Sequence, residues 1–372
     1  MTRKPRLLMI GRTRYRLPLD DSLRAKFDAL AERFDVRVLA SGVDGSPRRD
    51  GVFELAGPWQ PRWLDGALYF LSLPFRARRE LRSNPADGVL VQGAHETWFV
   101  LFGRSLSGVH APVILDVHGD WRSPTRLYGS SARRLLNPLA DRVALSALHR
   151  ADAVRTISDY TSDLVRAEGV EPTAVFPAFM DLEPFLRPPA PLPARPRALF
   201  VGVLEHYKGI DELAAAWRTV SAQLPDATLH VVGRGTRREV VERLVADLPD
   251  RTEWAEALST EDVARALDAA TVLVLPSRSE GMGRVLVEAF CRGRGAVASR
   301  VGGIVDLVKD GENGLLVPAR DPQGLADALH RVLSDRELAE RLATGAEASA
   351  AKWTATPEEY AARLEALVSG LR

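Results

Sequence analysis

The chain has 372 residues, of which 46% are hydrophobic and 27% charged, and its formal net charge at pH 7 is +1. This length is too great for one typical core and predicts two domains, while the near-neutral charge argues against a nucleic-acid partner. The single cysteine, Cys291, excludes a disulfide framework and a cysteine zinc site.

The N-terminal segment MTRKPRLLMIGR has too few apolar residues for the hydrophobic region of a signal peptide. No apolar run reaches the ~18–20 residues that span a bilayer, so we expect a cytoplasmic protein. Short β-branched runs alternate with longer helical patterns, which is typical of parallel α/β domains. The strands predicted in the first half are 6–11, 36–41, 88–93, 113–119, 153–158 and 173–178.

The segment GRTRYR, residues 11–16, is predicted to form a loop after the first strand. It contains one glycine, Gly11, and three arginines that include Arg12 and Arg14. Guanidinium groups bind phosphate well, so these residues would suit a phosphorylated acceptor. An ordinary solvated loop explains them equally well, and both interpretations stay open.

Residues 66–82, GALYFLSLPFRARRELR, place aromatic and leucine side chains beside a basic cluster. Such a segment could lie on an anionic membrane, which would make the protein peripheral at the inner face of the membrane. Pro74 interrupts the pattern, and a helix packed on its own sheet explains the apolar side as well. Peripheral membrane association is therefore left open.

Six prolines fall between Glu183 and Ala198, which excludes a helix or a central strand there. We predict an extended, semi-rigid linker at 183–197, between a first domain at 1–182 and a second at 198–352. The strands predicted in the second domain are 198–203, 228–233, 271–276, 295–300 and 315–319.

The segment SRSEGMGRVLVEAF, residues 277–290, carries the strongest functional signal. It follows an apolar strand, contains a Gly-x-Gly turn and continues with helical spacing. This arrangement directs backbone N–H groups and the positive end of a helix dipole at one point, which suits a phosphate or pyrophosphate. Glu280 in the loop and Glu288 in the helix accept hydrogen bonds when ionised, and so suit hydroxyl groups at two places along one ligand.

This segment resembles the E-x7-E motif of the retaining glycosyltransferases of family 4. Three further segments resemble that family in order and spacing: LFVGVLEHYKGIDELAAAW, LHVVGRGTRRE and ASRVGGIVDLVKDGENGLLVPARD. The resemblance implies an α/β fold of the GT-B type, with two Rossmann-like domains whose parallel sheets face a central cleft. It also implies that residues 353–372 contain a final helix returning to the first domain.

The resemblance implies roles for charged residues in both halves. Glu280 would bind hydroxyls of the donor sugar, Lys208 the diphosphate and Glu288 both ribose hydroxyls. His118, at the end of a predicted strand, would lie near the anomeric centre, although a lone histidine is more often structural. Asp120 is a weaker candidate for the acceptor side.

The resemblance also implies that glycine-containing turns complete the donor site. The turn of the E-x7-E motif would place backbone groups around the sugar and diphosphate; its members are Gly281, Met282 and Gly283. Gly233 and Gly235 would let the backbone approach the nucleotide closely, with a plain turn as the alternative.

The chain departs from the family pattern at one phosphate-binding position. Many members carry an arginine where this chain has Val203, and Arg284 would be a substitute unless it faces solvent. No Asp-x-Asp pair occurs in the sequence, in keeping with the metal independence usual for this fold. We therefore expect no metal and no cofactor, only a nucleotide-diphosphate sugar as donor substrate.

The sequence thus predicts a retaining glycosyltransferase that acts in cell-envelope glycan, glycolipid or natural-product synthesis. The expected partners are a nucleotide-sugar donor and a glycan, lipid-linked or small-molecule acceptor. A non-catalytic or degenerate nucleotide-sugar-binding subunit and a nucleotide-sugar epimerase are the alternatives. The base, the sugar and the acceptor stay open.

Overall fold

Two mainly parallel β-sheets, each with its own helices, make up the chain in a computed structural model that describes residues 3–122 and 136–371. The first unit comprises Met1–Phe179 with Ala355–Arg372, and the second Met180–Thr354. Their buried strands are rich in valine, leucine and isoleucine, as expected for parallel strands covered on both faces. The predicted α/β class is confirmed.

The first sheet has the strand order β3-β4-β2-β1-β5-β6-β7-β8, and only the β3–β4 pair is antiparallel. Its strands are β1 (Arg6–Tyr15), β2 (Asp35–Gly42), β3 (Arg49–Asp50), β4 (Phe53–Ala56), β5 (Gly88–Gln92), β6 (Val113–Val117), β7 (Ala153–Thr156) and β8 (Ala174–Val175). The helices described in this unit are α1 (Asp21–Arg33), α2 (Asp65–Ser83), α3 (Ala94–Ser107), α4 (Asn137–Arg150), α5 (Asp159–Arg166) and, at the C-terminal end, α13 (Pro357–Ser369).

Strand β1 is longer than the predicted 6–11, and this corrects the expected loop at 11–16. Its pairing with β2 shifts register between Ile10 and Arg14 and then resumes through Tyr15. Tyr15 is buried against Phe27 and Phe53, and this aromatic contact holds the extension on the sheet. The arginine-bearing segment is therefore strand.

Helix α2 continues through Pro74, which the sequence predicted to interrupt it. Pro74 lies on the buried side, where α3 crosses closely. A Cβ at Gly103 of α3 would lie 2.5 Å from the Pro74 carbonyl oxygen, so only glycine permits this crossing. Tertiary packing thus compensates for the hydrogen bond that proline cannot donate.

The second sheet is entirely parallel, in the order β11-β10-β9-β12-β13-β14. Its strands are β9 (Arg197–Val201), β10 (Thr228–Val232), β11 (Thr252–Ala255), β12 (Val272–Leu275), β13 (Gly295–Ser299) and β14 (Gly314–Val317). Its helices are α6 (Ile210–Gln223), α7 (Arg238–Asp247), α8 (Thr260–Asp268), α9 (Arg284–Cys291), α10 (Ile304–Leu307), α11 (Pro322–Ser334) and α12 (Arg336–Ala350).

The proline-rich stretch groups with the second unit and is bound along its length by arginines. Arg294 is 1% exposed and donates hydrogen bonds to the carbonyl oxygens of Ala190 and Pro191, besides four others near the end of α8 and the start of β13. Arg292 pairs with Asp268 and donates to two further carbonyls of the stretch. The carbonyl oxygens of prolines and of the residues between them are the acceptors for both arginines.

Among the described residues, no helix combines the length and the apolar character needed to cross a membrane.

We expect Arg294→Met to lower the free energy of unfolding of the second unit by about 3 kcal/mol or more, because several buried carbonyl oxygens lose a charged donor. Urea unfolding with hydrogen exchange of residues 187–194 measures this. The matched control is Arg336→Met, since Arg336 is exposed and donates to the carbonyls of Leu192 and Pro193. That change should cost under about 1 kcal/mol. Equal effects would mean that burial does not set the strength of this attachment.

Candidate functional site

Lys208 and Glu280 form an ion pair at the carboxyl edge of the second sheet. Lys208 ends a single 3-10 turn after β9, and Glu280 lies in the loop after β12, the strand next to β9. Both side chains are largely buried, with exposures of 15% and 14%. Ser277 Oγ also donates to Glu280 Oε2 at 3.2 Å. The pair is therefore fixed in place by strand adjacency and by two donors on one carboxylate oxygen.

Glycines allow the loops that carry this pair to touch. Gly209 has φ +70°, and a Cβ there would lie 2.0 Å from the Pro276 carbonyl oxygen. Gly302 and Gly303, after β13, pack just as closely on the loop of Glu280. A Cβ at Gly302 would lie 1.9 Å from the carbonyl oxygen of Glu280, and one at Gly303 would lie 2.0 Å from that of Gly281. The backbone on either side of Glu280 is thus held by glycine contacts from two neighbouring loops.

Helix α9 starts directly after this loop. Gly283 is its N-cap, with φ +76° and no side-chain hydrogen bond to the first turn. The uncapped N–H groups and the helix dipole suit an anion. The side chain of Met282 is 8% exposed and belongs to the interior, so only its backbone can serve a ligand.

Glu288, on the second turn of α9, pairs with Arg284. The Arg284 Nε donates to Glu288 Oε1 at 2.7 Å, and its Nη2 donates to the Asp181 carbonyl oxygen at 3.1 Å. Burial raises the pKa of Glu288; Arg284 opposes this shift, and the charge of Asp181 adds to it. Arg284, considered from the sequence as a phosphate cation, thus serves in this structure to neutralise the glutamate of its own helix.

Gly233 and Gly235 lie at the end of β10, where a close backbone approach does occur. A Cβ at Gly233 would lie 1.8 Å from the Gly202 carbonyl oxygen, and one at Gly235 would lie 2.4 Å from that of Leu204. The approach is to the loop after β9, so packing within the protein already requires these glycines. Their contact with a nucleotide stays a prediction.

Val203, at the position where an arginine was expected, is 45% exposed in the loop after β9. Two arginines from neighbouring loops lie near the same edge, and each is bound to a carboxylate. Arg237 pairs with Asp211, and Arg278 pairs with Glu212 at 2.7 Å. These two ion pairs were not foreseen from the sequence.

In the first unit, His118 lies at the carboxyl edge of the sheet just after β6. Its Nε2 lies 2.8 Å from Asp116 Oδ2, and Arg155 donates to the other oxygen of Asp116 at 2.6 Å. Burial alone would raise the pKa of Asp116, but the Arg155 guanidinium and His118 outweigh it and hold that pKa well below its usual range. In a neutral imidazole, the ionised Asp116 favours the proton on Nε2, and Nδ1 is then the acceptor.

Arg12 and Arg14, on the same face of β1, share one carboxylate. Asp65, the first residue of α2, lies 3.1 Å from Arg14 Nη2 and 3.9 Å from Arg12 Nη2. The two arginine side chains remain about half exposed. Asp120 accepts a hydrogen bond from the backbone N–H of Arg122 and so closes a turn.

Sequence reasoning missed the residues that orient His118. Asp116 and Arg155 each interrupt an apolar strand, and both are buried. A charged residue inside a buried strand requires a partner, and this was the signal that could have found the pair. Gln92, at the end of β5, was also missed; it accepts a hydrogen bond from Thr13 at 2.7 Å and lies 3.4 Å from His118 Nε2.

Two family models match consecutive parts of the chain. The model described as Glycosyltransferase Family 4 matches residues 25–184, and that described as Glycosyl transferases group 1 matches residues 186–349. An alpha-D-kanosaminyltransferase of Streptomyces kanamyceticus is 28% identical over 89% of this chain and 86% of that protein. A 2-deoxystreptamine glucosyltransferase of the same organism is 30% identical over 68% and 69% respectively.

Solved structures share the fold. A sucrose-phosphate synthase from Thermosynechococcus elongatus superposes with a TM-score of 0.79 at 24% identity, over 98% of this chain and 99% of that one. Anabaena HepE in complex with UDP-glucose has a TM-score of 0.70 at 18% identity, over 97% and 99%. The GT-B fold predicted from the sequence is thereby confirmed.

We expect Gly209→Ala to destabilise the second unit by about 3 kcal/mol or more, because a Cβ there meets the Pro276 carbonyl oxygen besides straining the backbone. Thermal and urea unfolding measure the loss. Gly311→Ala is the matched control: Gly311 has φ +81°, but a Cβ there has nothing within 4 Å. The control should cost only the ~1–2 kcal/mol of a left-handed residue. Similar losses in both variants would show that the contact with Pro276 is unimportant.

Proposed function

Because the chain belongs to the glycosyltransferases described by these two family models, we propose that this GT-B enzyme is a retaining transferase. It moves a sugar from a nucleotide-diphosphate sugar to an acceptor hydroxyl. The observation that carries the proposal is the Lys208–Glu280 pair beside the uncapped start of α9, one turn before Glu288. A cation, an acceptor carboxylate and a helix N-terminus at one edge match the groups of a diphosphate sugar.

The departing nucleoside diphosphate gains negative charge, so donors aimed at it accelerate transfer. Lys208 supplies the cation, and the N–H groups of residues 281–283 with the start of α9 supply fixed partial charge. Lys208 is already held by Glu280, so it needs little reorganisation when the charge develops. These groups make the proposed reaction metal-independent.

Glu280 binds the hydroxyls of the donor sugar. Its Oε2 already accepts hydrogen bonds from Lys208 and Ser277. A carboxylate oxygen held by two donors is a weak nucleophile, so we favour leaving-group departure and attack from the same face over a covalent sugar intermediate. Retention of configuration then follows without a double displacement.

Glu288 binds the two ribose hydroxyls through its carboxylate, which is one turn into α9 and mostly buried. Arg284 opposes the rise in the pKa of this carboxylate that burial causes. In the first unit, His118 presents Nδ1 as an acceptor for a hydroxyl proton, with Asp116 and Arg155 fixing the ring. Arg12 and Arg14 contribute to the acceptor side.

The named activity of one relative guides the choice of acceptor. The 2-deoxystreptamine glucosyltransferase is named for an acceptor with a cyclitol ring, whereas the kanosaminyltransferase is named only for the sugar that it transfers. We propose that the acceptor of this enzyme contains a cyclitol ring, which favours natural-product synthesis among the pathways considered. The donor is proposed to be a UDP-sugar, since a protein of the same fold was solved with UDP-glucose.

Without acceptor and in the presence of EDTA, we expect slow release of UDP from a UDP-sugar and no nucleotide release from GDP-, ADP- or dTDP-sugars. Glu280→Ala and Lys208→Ala should each lower that rate by about 100-fold or more, because each removes a contact made to the sugar or to the leaving group. A coupled nucleotide assay measures the rate.

The control variants are Arg238→Ala and Glu242→Ala, which remove the exposed ion pair of α7. They should release nucleotide at the wild-type rate. Unchanged turnover in the Glu280 and Lys208 variants would overturn the site. Absence of both turnover and nucleotide-dependent thermal stabilisation would favour a degenerate subunit, and exchange of the sugar C2 configuration would identify an epimerase.

We also propose that helices α2 and α3 contact an anionic lipid surface. Leu71 and Phe75 of α2 are 65% and 63% exposed, and Phe102 of α3 is 47% exposed. Arg78 and Arg82 donate to carbonyl oxygens at the end of α3, and no carboxylate of the described residues pairs with them. Apolar side chains beside unneutralised cations suit the interface of an anionic bilayer.

Sedimentation with phosphatidylglycerol vesicles should carry down the wild-type protein, and phosphatidylcholine vesicles should not. Phe75→Glu should reduce that binding at least tenfold, because a carboxylate replaces apolar contact and repels the lipid. Glu183→Ala, at the start of the proline-rich stretch, is the control. No binding to phosphatidylglycerol would overturn the proposal, and a concentration-dependent mass in light scattering would instead assign this face to a second copy of the chain.

A further inference from the structure

The carboxylate of Glu96 lies at the carboxyl edge of the first sheet. Glu96 is in the first turn of α3, which follows β5 after a single residue, Gly93. Its Oε2 lies 2.5 Å from the place where a Cβ on Gly93 would be, so the side chain folds back over the tip of β5. Gly93 has φ +96°, a backbone conformation that favours glycine.

Within the described part of the chain, the donor to this carboxylate is its own backbone N–H. The charged and titratable groups that face it are Arg12 from β1 and Tyr69 from α2. The Tyr69 hydroxyl is fully buried and has no hydrogen-bond partner. Burial raises the pKa of Glu96 to about 7, with a smaller opposing effect of Arg12. The residue as a whole is half-buried at this edge of the sheet.

A row of polar groups that ends at His118 lies beside Glu96, whose carboxylate folds over Gly93, the residue after Gln92. The row runs along neighbouring strands: Thr13 of β1 bonds Gln92 at the end of β5, and Gln92 lies 3.4 Å from His118 after β6. Strands β1 and β5 pair in register through Ile10 and Val91, which brings the next residues of both strands to the same edge. A ring bearing several hydroxyl or amino groups can bond to successive members of such a row.

We propose that Glu96 is an acceptor-binding residue that accepts a hydrogen bond from a ring hydroxyl or amino group and thereby selects the acceptor. The proposal rests on the proposed function, because it places the acceptor of that reaction at this edge. Glu96 binds one end of the ring, and His118 receives the reacting hydroxyl at the other. Arg12 and Arg14 balance the charges of Glu96 and Asp65, so the site as a whole is near neutral and suits a polar ring with few charges.

The experiment compares myo-inositol with 2-deoxystreptamine as acceptors, using the UDP-sugar that the wild type hydrolyses. Glu96→Gln keeps an oxygen acceptor but removes the charge, whereas Glu96→Ala removes both. For a hydroxyl contact, the glutamine variant should raise the acceptor KM less than tenfold and the alanine variant at least tenfold. For an ammonium contact, both should raise the acceptor KM by about 100-fold. Donor hydrolysis without acceptor should stay at the wild-type rate in both variants.

Two further readouts exclude a merely structural effect. In the wild type, kcat/KM for the acceptor should rise with pH through about 7 as the carboxylate of Glu96 ionises, and this rise should be absent from Glu96→Gln. Glu80→Gln is the matched control. Glu80 is a buried carboxylate near the C-terminal end of α2, and it pairs with Arg37 and Asn84. The substitution should leave the acceptor KM unchanged.

The outcomes separate this inference from the proposed function. Donor hydrolysis with neither cyclitol glycosylated would overturn the acceptor class, and unchanged acceptor KM in both Glu96 variants would overturn the role of Glu96. If donor hydrolysis and nucleotide-dependent thermal stabilisation are both absent, the transferase assignment fails instead. Binding of the two cyclitols, measured by saturation-transfer NMR, then decides on Glu96: loss of binding in Glu96→Ala supports the site, and equal binding overturns it.

Discussion

Close approach between loop backbones at the end of the second sheet underlies the candidate donor site. Parallel strands bring their carboxyl ends to one edge, and the loops there must pack to within contact of each other's carbonyl oxygens. Gly209 against Pro276 and Gly302 against Glu280 are two such contacts, and a side chain at either glycine would push the loops apart. Lys208 and Glu280 meet because those loops meet. The same contacts leave the N–H groups at the start of α9 open to an anion.

Buried arginines are stabilised in two ways in this chain. In the first unit, Arg155 and Asp116 neutralise each other inside the sheet, and the pair orients His118. In the second unit, the hydrogen-bond partners of Arg294 among the described residues are six carbonyl oxygens from three segments. An arginine that bonds backbone can be buried without a carboxylate because each N–H finds an acceptor. The first arrangement orients a candidate site residue, and the second holds one segment against another.

The sequence predicted most strands because buried parallel strands read as short β-branched runs. It missed β3, β4 and β11: β3 has two residues, and β4 and β11 have four residues with a glutamate each. It ended β1 too early, because residues 11–15 contain two arginines and lack an apolar β-branched run. The burial of Tyr15 against Phe27 and Phe53 stabilises this part of the strand. Local pattern cannot report such a tertiary contact.

The local motifs of the second unit located Lys208, Glu280 and Glu288, since each stands at a fixed place in a strand–loop–helix unit. The pairing of Lys208 with Glu280 was beyond reach of the pattern, because these residues are 72 apart in the chain and meet through strand order. The pairing of Arg284 with Glu288 is local, since the two lie one helical turn apart. The row that includes Gln92, with Glu96 beside it, likewise depends on the order β1-β5-β6, which no single segment encodes.

The attachment of the proline-rich stretch bears on how the chain can be divided. Residues 187–193 supply carbonyl oxygens to Arg292, Arg294 and Arg336, so they are part of what folds the second unit. A truncated protein that starts after the prolines would leave a buried guanidinium short of acceptors. One that starts near Met180 keeps them, together with the buried Phe185. A truncated second unit should therefore begin near Met180, where the compact unit begins, and not after the last proline.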